Sequence, residues 1–174
     1  MKDTNAPQTD VQYQSPAATA QTGKAPGMKV KLISKRDGIK NYVLIFAKGD
    51  EVLSGINDFA KQHKVALAHF TAIGALKGAT TAWFDPERRM YKLNPINEQV
   101  ELTSLIGDIG LYKGSPAVHS HMTIGLRDGT TRGGHLIEAH VYPTVELFIM
   151  VFPTPLEKTL DPETDLKLFD LTRQ

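Results

Sequence analysis

The sequence predicts an α+β fold, a mainly antiparallel β-sheet with one helix packed on it. Three observations lead there. Only Asp50–His63 repeats its apolar residues at helical spacing, and most of the chain from Met28 onward is short runs of strand formers. Between those runs stand Gly, Pro and Asp-Gly punctuation.

The elements follow in order. Lys29–Ser34 alternates and Asn41–Ala47 is a short apolar run, with Asp37-Gly38 between them as a hairpin turn. In the helix, Val52, Leu53, Ile56, Phe59 and Ala60 form one stripe, Asp50 is the expected N-cap, and His63 and Lys64 close the end. Strands are then expected at Val65–Phe70, Ala72–Gly78, Ala79–Phe84, Met90–Leu93, Gln99–Ile106, Gly107–Leu111, Ala117–Leu126, Leu136–Val141 and Thr144–Phe152. Asp85-Pro86, Pro143, Pro153 and Pro155 read as breaks, and Asp161–Leu171 is a closing segment of undefined type.

Composition sets the outer limits. The 174 residues are 41% hydrophobic and 22% charged, which fits one globular domain. Residues 1–27 are rich in Gln, Thr, Ala and Pro, with only Val11 and Tyr13 as bulky anchors, so they read as a flexible tail before a domain at 28–174. No apolar h-region follows Lys2, as a signal peptide would need, and a cytoplasmic location is expected. No apolar run approaches the ~20 residues that span a bilayer. The absence of cysteine excludes disulfides, thiolate zinc sites, iron–sulfur clusters and a cysteine nucleophile. Any metal must therefore be held by nitrogen and oxygen.

The chemistry is concentrated between Val118 and His135. On a strand His119 and His121 share a face with Thr123, while Val118, Met122 and Ile124 take the other. A three-residue loop centred on Asp128 sets His135 directly across from His121, unless Gly133 and Gly134 shift the register by a bulge. Cross-strand Cβ atoms lie about 4.5–5.5 Å apart, so three imidazoles can converge on one point. Imidazole without thiolate suits zinc first, then iron, nickel or copper, and three ligands leave a position for water or substrate. His63, His69 and His140 read as surface or hydrogen-bonded residues. Glu146 interrupts a strand apolar on both faces, so it is expected as a buried partner of some donor or as a support behind the metal ligands. Phosphate-loop, nucleophile-elbow and dinucleotide patterns are missing.

Ala72-Ile-Gly-Ala-Leu, Gln99–Gly107, His119-Ser-His121, Asp128-Gly129, Gly133-Gly-His135 and Val141–Glu146, in this order and spacing, resemble the plant-and-prokaryote conserved (PPC) domain over about residues 29–171. The resemblance implies an α/β fold around a mainly antiparallel sheet, a homotrimer with the histidines near a subunit boundary, and a DNA-binding regulatory role. Plant members carry an AT-hook before the domain. Its Arg-Gly-Arg-Pro core does not occur here, and the net charge is only +1, whereas each phosphate contact needs Lys or Arg. Three functions stay open: a DNA-associated module, a metal-dependent enzyme on a small molecule, and a metal-stabilised scaffold.

Overall fold

The hairpin that Asp37-Gly38 predicts is present, with β2 (Lys29–Arg36) running back along β3 (Ile39–Ala47). Both turn residues have positive φ, the geometry a two-residue hairpin loop requires. The coordinates are a computed structural model and describe residues 11–18 and 21–172.

Beyond the hairpin come α1 (Val52–Gln62), β4 (Ala68–Asp85), β5 (Met90–Ile96), β6 (Val100–Tyr112), β7 (Ser115–Gly125) and β8 (Thr131–Val151). A short pair, β9 (Lys158–Leu160) and β10 (Lys167–Phe169), closes the chain, and β1 (Tyr13–Gln14) precedes everything. The main sheet runs β1-β5-β4-β6-β7-β8-β3-β2, all antiparallel. A further β4–β8 pairing closes β4, β6, β7 and β8 into a ring.

Three strands are longer than the sequence suggests. Val65–Phe70, Ala72–Gly78 and Ala79–Phe84 are expected as separate runs, but Ala68–Asp85 is one strand of 18 residues. Likewise β8 continues through Pro143 for 21 residues, and β6 joins Gln99–Ile106 to Gly107–Leu111. The glycines are points of close approach inside continuous strands. A Cβ on Gly74 would lie 2.4 Å from the Thr144 carbonyl oxygen, beside the irregularity between Ala72 and Gly74.

The helix lies on the inner face of the sheet. Val52, Ile56, Phe59 and Ala60 are buried with Leu44, Phe46, Leu105, Ile124, Leu136 and Leu147 in one cluster. Gly55 permits the contact, since a Cβ there would meet the Phe46 ring at 2.4 Å. The N-cap is Glu51 rather than Asp50. Its buried carboxylate accepts from the backbone N–H of Leu53 (3.0 Å), Ser54 (2.6 Å) and Ala139 (3.0 Å), tying the helix start to β8. Burial pushes the Glu51 carboxyl above its ordinary range, against the lowering effect of those donors. Asp50 instead accepts from the N–H of Gly27 and Ala47. Glu51→Ala orphans three donors, and we expect it to cost about 2 kcal/mol in a denaturant titration.

The segment before Met28 departs from the expected tail. Residues 1–10 and 19–20 lie outside the described residues, but the remainder is held against the domain. Tyr13 and Gln14 pair with Lys92 and Tyr91. Gly23 and Lys24 donate to Asp58 and Ser54 of the helix, and Asn57 donates to the Gln21 carbonyl. Hydrogen bonds, together with Ala25 packed against the core, hold this strap, and composition does not register them.

Candidate metal centre

Strand β7 carries the first two histidines. Its alternation buries Ser120, Met122 and Ile124 and turns His119, His121 and Thr123 outward. The turn that follows is the expected one. Leu126 donates to Thr130 (2.8 Å) around Arg127-Asp128-Gly129, Asp128 accepts from the Thr130 N–H, and Gly129 takes φ +82°. His135 therefore stands across from His121, and the register is unbroken from there to Gly125 and Thr131. Gly133 and Gly134 cause no bulge on this side. They let β8 pass closely between its neighbours, since a Cβ on Gly134 would lie 2.6 Å from the Ala82 carbonyl oxygen.

The three imidazoles converge. His119 Nε2 and His121 Nε2 are 3.3 Å apart, and one nitrogen from each of the three rings falls within 4.8 Å of the others. Two nitrogens on a tetrahedral zinc, each bonded at 2.0–2.1 Å, stand about 3.3 Å apart. His119 and His121 are exposed, while His135 is half-buried against the Tyr91 ring, centroids 4.4 Å apart. His135 Nδ1 is buried without a hydrogen-bond partner among the described residues. Such an orphan costs about 1–3 kcal/mol. An unpaired imidazole facing two others is a donor set that fits a transition metal.

Asp108 stands behind His119, its cross-strand partner on β6. Asp108 Oδ2 lies 3.7 Å from His119 Nδ1, and Oδ1 accepts from Lys158 Nζ, whose side chain is almost fully buried. A carboxylate at Nδ1 orients the ring and leaves Nε2 for a metal. Burial alone would raise the Asp108 carboxyl, but His119 and Lys158 outweigh it and hold it below the usual carboxylate range. Neither Asp108 nor Lys158 stands out in the sequence. The available sign was Asp108 itself, a carboxylate in the apolar stretch Leu105–Leu111 of β6.

The remaining expected residues lie elsewhere. Glu146 is exposed rather than buried, opposite Ile45 and Ile73. Its β4 partner is nine residues from Ala82, the partner of His135, so within one chain it does not support the triad. His63 stacks on Phe59, His69 is exposed, and His140 hydrogen-bonds Glu138.

Electrostatics disfavour a proton on His135 and on His121. Burial first, then the charges of His119 and His121, push the His135 imidazole down to about 3. Burial and His119 also lower His121. Between pH 6.5 and 3 the unfolded chain thus binds a proton at residue 135 that the native state refuses. Stability from this group is complete above pH 6.5 and is lost as pH falls, by up to about 1.4 kcal/mol per pH unit. The urea midpoint of metal-free protein is expected to decline steadily from pH 7 to pH 5. A flat profile would show that His135 is not a buried neutral ring.

The Plants and Prokaryotes Conserved (PCC) domain matches residues 33–153. The chain belongs to this family. Among solved structures, a plant- and prokaryote-conserved protein of Pyrococcus horikoshii is 30% identical, with a TM-score of 0.71 over 84% of this chain and 97% of that one. A metal-containing protein of Archaeoglobus fulgidus is 26% identical, TM-score 0.69, over 82% and 98%. A protein of Ralstonia eutropha described as a "Putative DNA-binding protein" is 27% identical, TM-score 0.69, over 75% and 90%. No curated protein matches the chain. The PCC fold, the mainly antiparallel sheet and, among the described residues, the single helix agree with what the motifs imply.

Proposed function

We propose that this PCC-domain protein is a cytoplasmic homotrimer with a working three-histidine metal centre, zinc being the metal that suits His119, His121 and His135 best. One observation carries the reading: three imidazoles converge and, among the described residues, no fourth protein ligand joins them. Structural zinc sites are closed by four protein ligands, whereas three ligands leave a position open for water or a small molecule. When bound, the metal supplies a Lewis acid and acidifies its water. His119, His121 and His135 would hold it, and Asp108 would fix the tautomer and angle of His119. The metal-containing relative from Archaeoglobus supports this reading.

The trimer rests on the family resemblance and on one surface. Ile45, Ile73, Ile106, Phe148 and Met150 are exposed on the sheet face opposite the helix, set among Glu146, Thr71 and His69. Ile106 pairs with His121, so this patch runs up to the triad. A sheet face exposing this many large apolar side chains is typical of a protein contact. The reading is tested by elemental analysis of protein purified without chelator, then by cobalt substitution. About one metal per chain and a tetrahedral cobalt spectrum that changes on adding azide are expected. A metal-free protein that also fails to take up zinc would overturn it.

DNA binding is the second reading, supported by the Ralstonia relative and by strand β2, which exposes Lys29, Lys31, Lys35 and Arg36. Four cations on one edge, in a chain of net charge +1, supply few phosphate contacts. Titration with duplex DNA at physiological salt is expected to give no submicromolar complex. A submicromolar complex with a steep salt slope would reverse the order of the two readings.

A further inference from the structure

A cleft of about 300 Å³ opens beside the triad, walled by the strap before Met28, the start of β7 and the β9–β10 pair. His119 and His135 line it, together with Lys158, Lys167, Tyr91 and Tyr112. Among the described residues no acidic side chain does. Its charge balance is therefore one-sided. Lys158 is committed to Asp108 behind the wall and sits over the Phe169 ring. Lys167 has no carboxylate partner among the described residues, and its ammonium lies 5.1 Å from the centroid of the Tyr112 ring. A lysine ammonium held beside an aromatic ring, in a cleft wall with no opposing carboxylate among the described residues, is a receptor for an anionic head group. Tyr91 and Tyr112 add flat apolar surface for the body attached to it, and Asn57 and Ser115 offer neutral hydrogen-bonding groups on the wall. The volume suits a small metabolite rather than a polymer.

We propose that this cleft binds a small organic anion, a carboxylate or phosphate carried on an aromatic body, with its head at Lys167 and its edge against the triad. The proposal deepens the metal-centre reading, because two of the three histidines line the cleft, but the lysine and tyrosines need no metal to act. It also gives the strap a task. Gln14 and Gln21 wall the cleft, so the hydrogen bonds holding that segment also shape the site.

The test is a titration followed by backbone amide NMR, on metal-free and on zinc-loaded full-length protein. The probes are benzoate and phenyl phosphate, with neutral benzamide as the control of equal shape. Both anions are expected to shift the amides of Ser115–His119, Ile137 and Leu166–Leu168, and benzamide to bind at least tenfold more weakly. The stronger of the two anions identifies the head group. Lys167→Ala is expected to weaken binding about fivefold or more in both metal states, with Lys167→Arg within about twofold of the parent. Equal binding of benzamide, shifts away from these segments, or an unaffected Lys167→Ala variant would overturn the proposal. If zinc fails to bind while benzoate obeys Lys167, the metal reading falls and the anion site stands. If zinc binds and neither anion perturbs the cleft, the reverse holds.

Discussion

His121→Ala is expected to release the metal, lowering zinc affinity on the order of 100-fold or more and leaving purified protein essentially metal-free. The residue sits between the other two. It is 3.3 Å from His119 through the ring nitrogens and directly across the ladder from His135. Removing it leaves two imidazoles that a single tetrahedral ion holds poorly. The variant should fold, because the side chain is exposed and its strand neighbours Ser120 and Met122 carry the packing. Asp108→Asn gives a graded version of the same experiment, with an expected loss of about 10- to 100-fold, the usual range for a partner behind a metal-bound histidine. Metal content and a competition titration measure both. Unchanged metal content in His121→Ala would remove the triad from consideration. Solution mass separates the roles: metal lost from an intact or slightly weakened trimer supports a working centre, and loss of both together supports a scaffold.

The triad was legible in the sequence because two local rules met. Period-two alternation put His119 and His121 on one face, and Asp128-Gly129 fixed the turn that counts His135 back to His121. The same kind of local rule located the Asp37-Gly38 hairpin and the amphipathic helix. What escaped was set by long-range pairing. Gly78 and Pro143 look like strand ends in a linear reading, yet β4 and β8 run through them, because closing four strands into a ring demands long strands, with close backbone approach at Gly74 and Gly78. Asp108 acquires meaning only once β6 is in register with β7, and Lys158 only once the chain has returned fifty residues later. Glu146 illustrates the reverse error. Apolar residues on both faces of its strand suggested full burial, but one of those faces is the outward patch of Phe148 and Met150.

That outward patch carries the second large effect. If the chain assembles through this face as proposed, Phe148→Asp is expected to convert the proposed trimer to monomer at micromolar concentration while leaving the chain folded and able to bind metal. Phe148 is 53% exposed within the single chain, between Val43 on β3 and Thr71 on β4, so aspartate there costs the isolated domain little. In an assembly packed through this face, each copy would have to bury an unpaired carboxylate, and burial of a charge without a partner costs several kcal/mol. Repeated in every subunit, that corresponds to a shift in the dissociation constant of about a thousandfold or more. Sedimentation of the variant against the parent gives the mass, and elemental analysis of the same sample gives the metal. A variant that remains trimeric would move the interface off this face. Metal lost together with assembly would mean that a neighbouring copy completes the centre, since His119, His121 and His135 all come from one chain and Ile106, opposite His121, ties the patch to the site.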